Sequence, residues 1–203
     1  MRFLVISLCF CLTACASYPK KNNFQKLDTQ GTISNPYFSN LNQDYIYKAN
    51  IEVYNRSLGG LFVVKKIGDQ HHRIGFTTEM GQTLLDVTFY KDDFKVNYIV
   101  DELNKKMLIA ILKTDFKVLI TENLLATDIY SFENQIINKA ILDNKTYYYS
   151  EDAKTLKIIR ANKRKEKVRF LFSEISDNIA QQIEINHSNI KLKINLKSII
   201  KQN

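Results

Sequence analysis

The feature that most constrains this chain is the period-two alternation between Arg73 and Tyr90. Ile74 and Phe76 fall on one face of a first arm, and Leu85, Val87 and Phe89 on one face of a second. Side chains alternate across a strand, so each arm reads as a half-buried β-strand. The apolar stripe of a helix would instead recur every three or four residues. Between the arms sits Glu79-Met80-Gly81-Gln82, where Gly81 supplies the backbone freedom of a tight connection. Met80 is out of keeping with its position, because polar residues usually occupy such tips. Two readings stand. Either this flexible thioether folds back over its own hairpin, or it is an apolar tip meant to touch a membrane or an acyl chain.

The flanking sequence extends the same pattern. Tyr47, Ala49, Ile51 and Val53 alternate with Lys48, Asn50 and Glu52. Arg56 to Gly60 reads as a break with Gly59-Gly60 as its pivot, and Leu61 to Ile67 as a strand apolar at nearly every position. Gly68-Asp69 marks another hairpin, and after Lys91-Asp92-Asp93 a further strand places Phe94, Val96, Tyr98 and Val100 on one side. Five strands with short links predict an antiparallel meander. The period then changes. Leu103, Met107, Leu108, Ile111, Leu112, Phe116, Leu119 and Ile120 form the stripe of an amphipathic helix, with Asp101 as its N-cap and Thr114-Asp115 as an alternative boundary between two helices. Strands resume at Tyr147–Tyr149, Leu156–Arg160, Val168–Phe172, Ile183–His187 and Ile190–Leu196. A short helix is expected near Phe38 to Asp44, and residues 122–142 take no clear assignment.

The first residues carry a different signal. Met1-Arg2 is a short basic lead, and Phe3 to Leu12 is an apolar run too short to span a bilayer but suited to a signal-peptide core. It ends in Leu12-Thr13-Ala14-Cys15, which resembles the bacterial lipobox: small residues before the cut, and a thiol after it to carry diacylglycerol. Residues 1–14 are therefore expected to be removed, leaving an acylated Cys15, and two or more acyl chains on one Cys anchor stably. Cys9 and Cys11 fall in the removed segment, so the mature chain is expected to have no thiol free for a disulfide, a nucleophile or a metal. Residues 15–40 hold both prolines, Pro19 and Pro36, among polar residues and read as a flexible tether; residues 41–203 form the domain. Ala16 and the absence of an acidic run after Cys15 point to the periplasmic face of an outer membrane.

Catalytic and metal signatures do not emerge. The adjacent His71 and His72 would point to opposite faces of a strand, poor geometry for chelation, and His187 stands apart. There is no Gly-x-Ser-x-Gly elbow, no HExxH and no phosphate-binding loop. Asp92-Asp93 and Glu151-Asp152 read as solvated turns. No enzyme, cofactor or metal is expected. The net charge of +8 would suit nucleic acid, but export removes that partner. Asn162 to Lys167 reads as a basic hairpin turn, with contact to anionic head groups or an acidic protein as the functional alternative.

Three features together carry a resemblance. Arg73-Ile-Gly-Phe-Thr-Thr-Glu-Met-Gly-Gln-Thr-Leu-Leu-Asp-Val, the helical stretch after Asp101, and the ending Ile183-Glu-Ile-Asn…Ile190-Lys-Leu-Lys-Ile-Asn-Leu resemble, in this order, the LolB family of outer-membrane lipoprotein receptors. The resemblance implies an α+β fold: a strongly curved, incomplete antiparallel half-barrel of about ten strands, with helices covering a hydrophobic cavity. It also implies a monomer that takes acylated lipoproteins from a periplasmic LolA-like carrier and inserts them into outer-membrane lipid. The family exposes a Leu before the Gly of this turn, so Glu79, Met80 and Gly81 would form the insertion loop. Val63, Ile74, Phe76, Leu85, Val87, Phe89, Met107 and Ile111 would line the cavity, or serve as ordinary core. Burial of each acyl methylene would contribute roughly 0.8 kcal/mol. A second reading keeps the same fold as a structural or partner-binding platform, or as a binder of another lipid.

Overall fold

Alternation of apolar and polar residues builds nearly all of this protein. The structure is a computed structural model and describes residues 17–199. The described chain opens with a helical turn, α1 (Tyr18–Lys21), and two short strands, β1 (Gln25–Leu27) and β2 (Thr32–Ser34). The expected meander follows as β3 (Asp44–Val53), β4 (Arg56–Gly68), β5 (His71–Thr77), β6 (Thr83–Phe89) and β7 (Phe94–Ile99), each antiparallel to the next. After α2 (Lys106–Ile120) come β8 (Asn123–Leu125), β9 (Asp128–Phe132), β10 (Gln135–Leu142) and β11 (Lys145–Glu151). The last four strands are β12 (Thr155–Asn162), β13 (Lys165–Ser176), β14 (Ile179–His187) and β15 (Leu192–Ser198). Strands β9 to β15 form a second meander, which returns so that β15 pairs with β3.

This pairing overturns the expected half-barrel. Strands take up 59% of the described residues and helices only 10%, so the class is mostly β rather than α+β. Joining the two meanders side by side gives one thirteen-stranded antiparallel sheet, with β1 and β7 as its edges, neither closed nor strongly curled. Because β7 lies at one edge and β9 next to the other, the connection between them must cross the sheet. The helix α2 is that crossing. It is one continuous helix through Thr114 and Asp115, and it begins after Lys105, so Asp101 does not cap it.

One face of the sheet carries the core. On β3, Tyr45, Tyr47, Ala49, Ile51 and Val53 are buried while Asp44, Lys48 and Glu52 are exposed. Phe62 and Val64 on β4, Phe170 and Phe172 on β13, and Ile183 and Ile185 on β14 join the same cluster. The helix adds Leu108, Leu112, Phe116, Val118 and Leu119. A smaller cluster of Tyr18, Tyr130, Ile137, Tyr148, Ile159 and Ala161 covers part of the opposite face.

Three local expectations also need correcting. Residues 25–38 are not a tether. β1 pairs with β9, β2 pairs with β8, and Ile33, Tyr37 and Phe38 are buried in the main core. The polar residues between them hid three apolar anchors spaced too irregularly to show a period. No helix forms near Phe38 to Asp44, where turns lead into β3. Arg56 to Gly60 is not a break but the first five residues of β4. The unassigned stretch 122–142 becomes β8, β9 and β10.

Candidate functional site

The turn between β5 and β6 is built to hold an apolar side chain out in water. The Thr78 amide donates to the Gln82 carbonyl at 2.8 Å, and the Gly81 amide donates to the Thr78 carbonyl at 3.0 Å. The Gln82 amide adds a bond to Thr78 Oγ1 at 3.1 Å. Gly81 closes the loop with a φ of 86°, a conformation that costs glycine nothing. Beneath it, Gly60 of β4 lies against Thr77: a Cβ there would sit 1.8 Å from the Thr77 carbonyl oxygen. The close approach of β4 to the loop therefore depends on Gly60. Lys48 of β3 reaches Glu79 at 2.9 Å, beside the tip. Met80 does not fold back. It is 99% exposed, more than any other large apolar residue described.

The residues expected to line a cavity divide into three groups. Ile74, Phe76, Leu85, Val87 and Phe89 are buried and packed in the main core. Val63 is on the opposite face, since it pairs with Gly75 while its neighbours Phe62 and Val64 point inward. Met107 is 55% exposed, and Ile111 is partly buried against the core. Between α2 and strands β6 and β7, the space among Leu85, Val87, Phe94, Leu112 and Phe116 holds no volume open to a water molecule. The apolar stripe is ordinary core, because the helix lies directly on the sheet. Cys15, the expected acylation site, lies outside the described residues.

Sequence reasoning missed the most buried pair of ionisable side chains among the described residues. Asp115, in the middle of α2, and His187, at the end of β14, meet at 2.7 Å between Oδ2 and Nε2, with side chains 0% and 1% exposed. Burial pushes the Asp115 carboxyl above its usual range, against the pull of His187. Among the described residues its Oδ1 has no hydrogen-bond partner, and neither do the buried hydroxyls of Tyr47 and Tyr149. The signal was present: Asp115 falls on the apolar stripe, between Leu112 and Leu119, where a charge must find a partner. His72 is also buried, and its Nε2–H donates to the Phe38 carbonyl at 3.0 Å. Burial holds its pKa below the ordinary histidine value. Among the described residues, no group of His, Cys, Asp and Glu is arranged to hold a metal ion.

No helix described is long and apolar enough to cross a membrane. Comparison with known proteins finds no family model and no curated protein that matches this chain.

Proposed function

We propose that this chain is an acyl-anchored outer-membrane protein facing the periplasm, with Met80 as an apolar insertion tip. Its task is to accept lipoproteins from a LolA-like carrier and pass them into the membrane. The observation that carries the reading is the full exposure of Met80 on a loop closed by its own hydrogen bonds. Moving one such side chain from water into an apolar layer contributes roughly 1.5–3 kcal/mol, enough to bias docking without locking it. The lipobox at Leu12–Cys15 supplies the membrane attachment in this reading. Cargo acyl chains are met at the tip and the membrane surface, with no preformed cavity required.

A second reading is favoured by the packed space beneath α2. It makes the protein an anchored platform that binds a protein partner and no lipid.

Transfer separates the two. The full chain with Cys15→Ser, which lacks the anchor, is mixed with an acylated lipoprotein held by its carrier, and cargo is followed to the chain and then to liposomes. The wild-type tip is expected to deliver, while Met80→Glu accepts cargo but delivers at least about tenfold more slowly, the rate cost of roughly 1.4 kcal/mol. If neither form takes up cargo, the platform reading replaces the carrier reading.

A further inference from the structure

A groove of about 640 Å³ lies between α1, the β9–β10 turn and strands β10 to β13, away from the Met80 loop. Its size falls in the usual range of small-molecule sites, roughly 300–1,000 Å³. The floor is apolar, formed by buried Ile137, Tyr148 and Ile159. Phe24 and Phe132 stand half-buried above it with ring centroids 5.5 Å apart, and Tyr18 packs on Tyr148 at 4.9 Å. Polar groups from four elements meet this aromatic wall. Ser150 is the most telling: the residue is only 8% exposed, it lines the groove, and its hydroxyl has no hydrogen-bond partner among the described residues. A nearly buried hydroxyl left open to a groove is a ready-made contact for a polar ligand.

The lining discriminates among ligands. An acyl chain would cover the nearly buried Ser150 hydroxyl without offering it a partner. An anionic head group would meet no net positive charge, because Lys157 and Arg169 are offset by Glu133 and Glu166, and Arg169 is already held by Glu166 at 3.0 Å. A sugar ring suits both halves, with a C–H face for the aromatic rings and hydroxyls for the planar amides and Ser150.

We propose that this groove binds a pyranose-based glycan, stacked on Phe24 and Phe132 and hydrogen-bonded to Ser150, Asn22 and Gln135. The glycan strands of the cell wall and the core sugars of lipopolysaccharide share this chemistry. The proposal rests on the envelope location given above, but not on the role of Met80.

Calorimetry on the full acylated chain in nanodiscs tests it. The titrants are peptide-free cell-wall glycan, deacylated lipopolysaccharide core oligosaccharide, and phosphoethanolamine alone. One saccharide is expected to bind saturably, and Phe132→Ala and Ser150→Ala each to weaken it by about tenfold. Met80→Glu should leave saccharide binding unchanged, so the two proposals fail separately. Ser150→Ala removes one groove-lining hydroxyl and keeps the test valid if Phe132→Ala misfolds. No binding by either saccharide, or binding that both groove variants retain, overturns the proposal. Binding of phosphoethanolamine alone overturns it too, and reassigns the groove to a lipid head group.

Discussion

At the scale of single residues, the two buried histidine side chains have different partners. His187 faces Asp115, and removing either member of this pair leaves the other buried without its hydrogen-bond partner. His72 faces a backbone carbonyl, so the neutral ring is the form that suits its site. Because burial lowers its folded pKa, the unfolded chain binds a proton first as pH falls below the ordinary value of 6.5. Stability is therefore unaffected by His72 above that value and declines as pH drops through the window between it and the lowered folded pKa. Thermal unfolding from about pH 7.5 to about pH 5.5 should show this loss in the wild type and a flatter response in His72→Gln, which keeps a donor but does not titrate. An equal decline in both would mean that other groups set the acid sensitivity.

At the scale of elements, the β5–β6 hairpin was legible because both of its arms keep strict alternation and its turn contains Gly81. The five-strand meander followed from the same signal. What the sequence did not show is how α2 sits. An apolar stripe reads the same whether a helix covers a cavity or lies on packed side chains; only the sizes of Phe62, Phe94 and Phe116, met in three dimensions, fill the space. Gly60 likewise looked like a break, because its reason for being glycine is on another strand. That reason makes a test. In Gly60→Ala the added methyl would collide with the Thr77 carbonyl, so β4 and the loop must separate. Melting should fall by about 1–3 kcal/mol in stability, as for an overpacked site, whereas Gly59→Ala, with open space around it, should change little. Under the proposed function the same variant should impair delivery of cargo by displacing Met80, and normal stability in Gly60→Ala would show that the loop does not rest on β4.

At the scale of the whole molecule, the segment before β3 decides where the domain begins. Composition made residues 15–40 look like a leash, since Pro, Asn and Lys dominate and the apolar residues follow no period. The fold uses that segment to tie the C-terminal end of the crossing to the sheet. The Asn35 side chain donates to the Leu119 carbonyl at 2.9 Å, at the end of α2, and its amide donates to the Glu122 carbonyl at 2.7 Å. Tyr37 stacks on Phe172 of β13 at 5.3 Å, and Phe38 packs edge-on against Tyr45 of β3 at 5.1 Å. Burial of Ile33, Tyr37 and Phe38 at roughly 1.5–3 kcal/mol each is comparable to the total stability of a domain, about 5–15 kcal/mol. A chain starting at Leu41 should therefore lose cooperative unfolding or expose apolar surface to a hydrophobic dye, whereas one starting at Ser17 should melt in a single transition. If both melt alike, residues 17–40 are a passive cover. If only the longer chain folds, the acyl anchor proposed at Cys15 would be followed almost at once by the folded body. The Met80 tip would then be held at the membrane by a structured body, with no leash to give it reach.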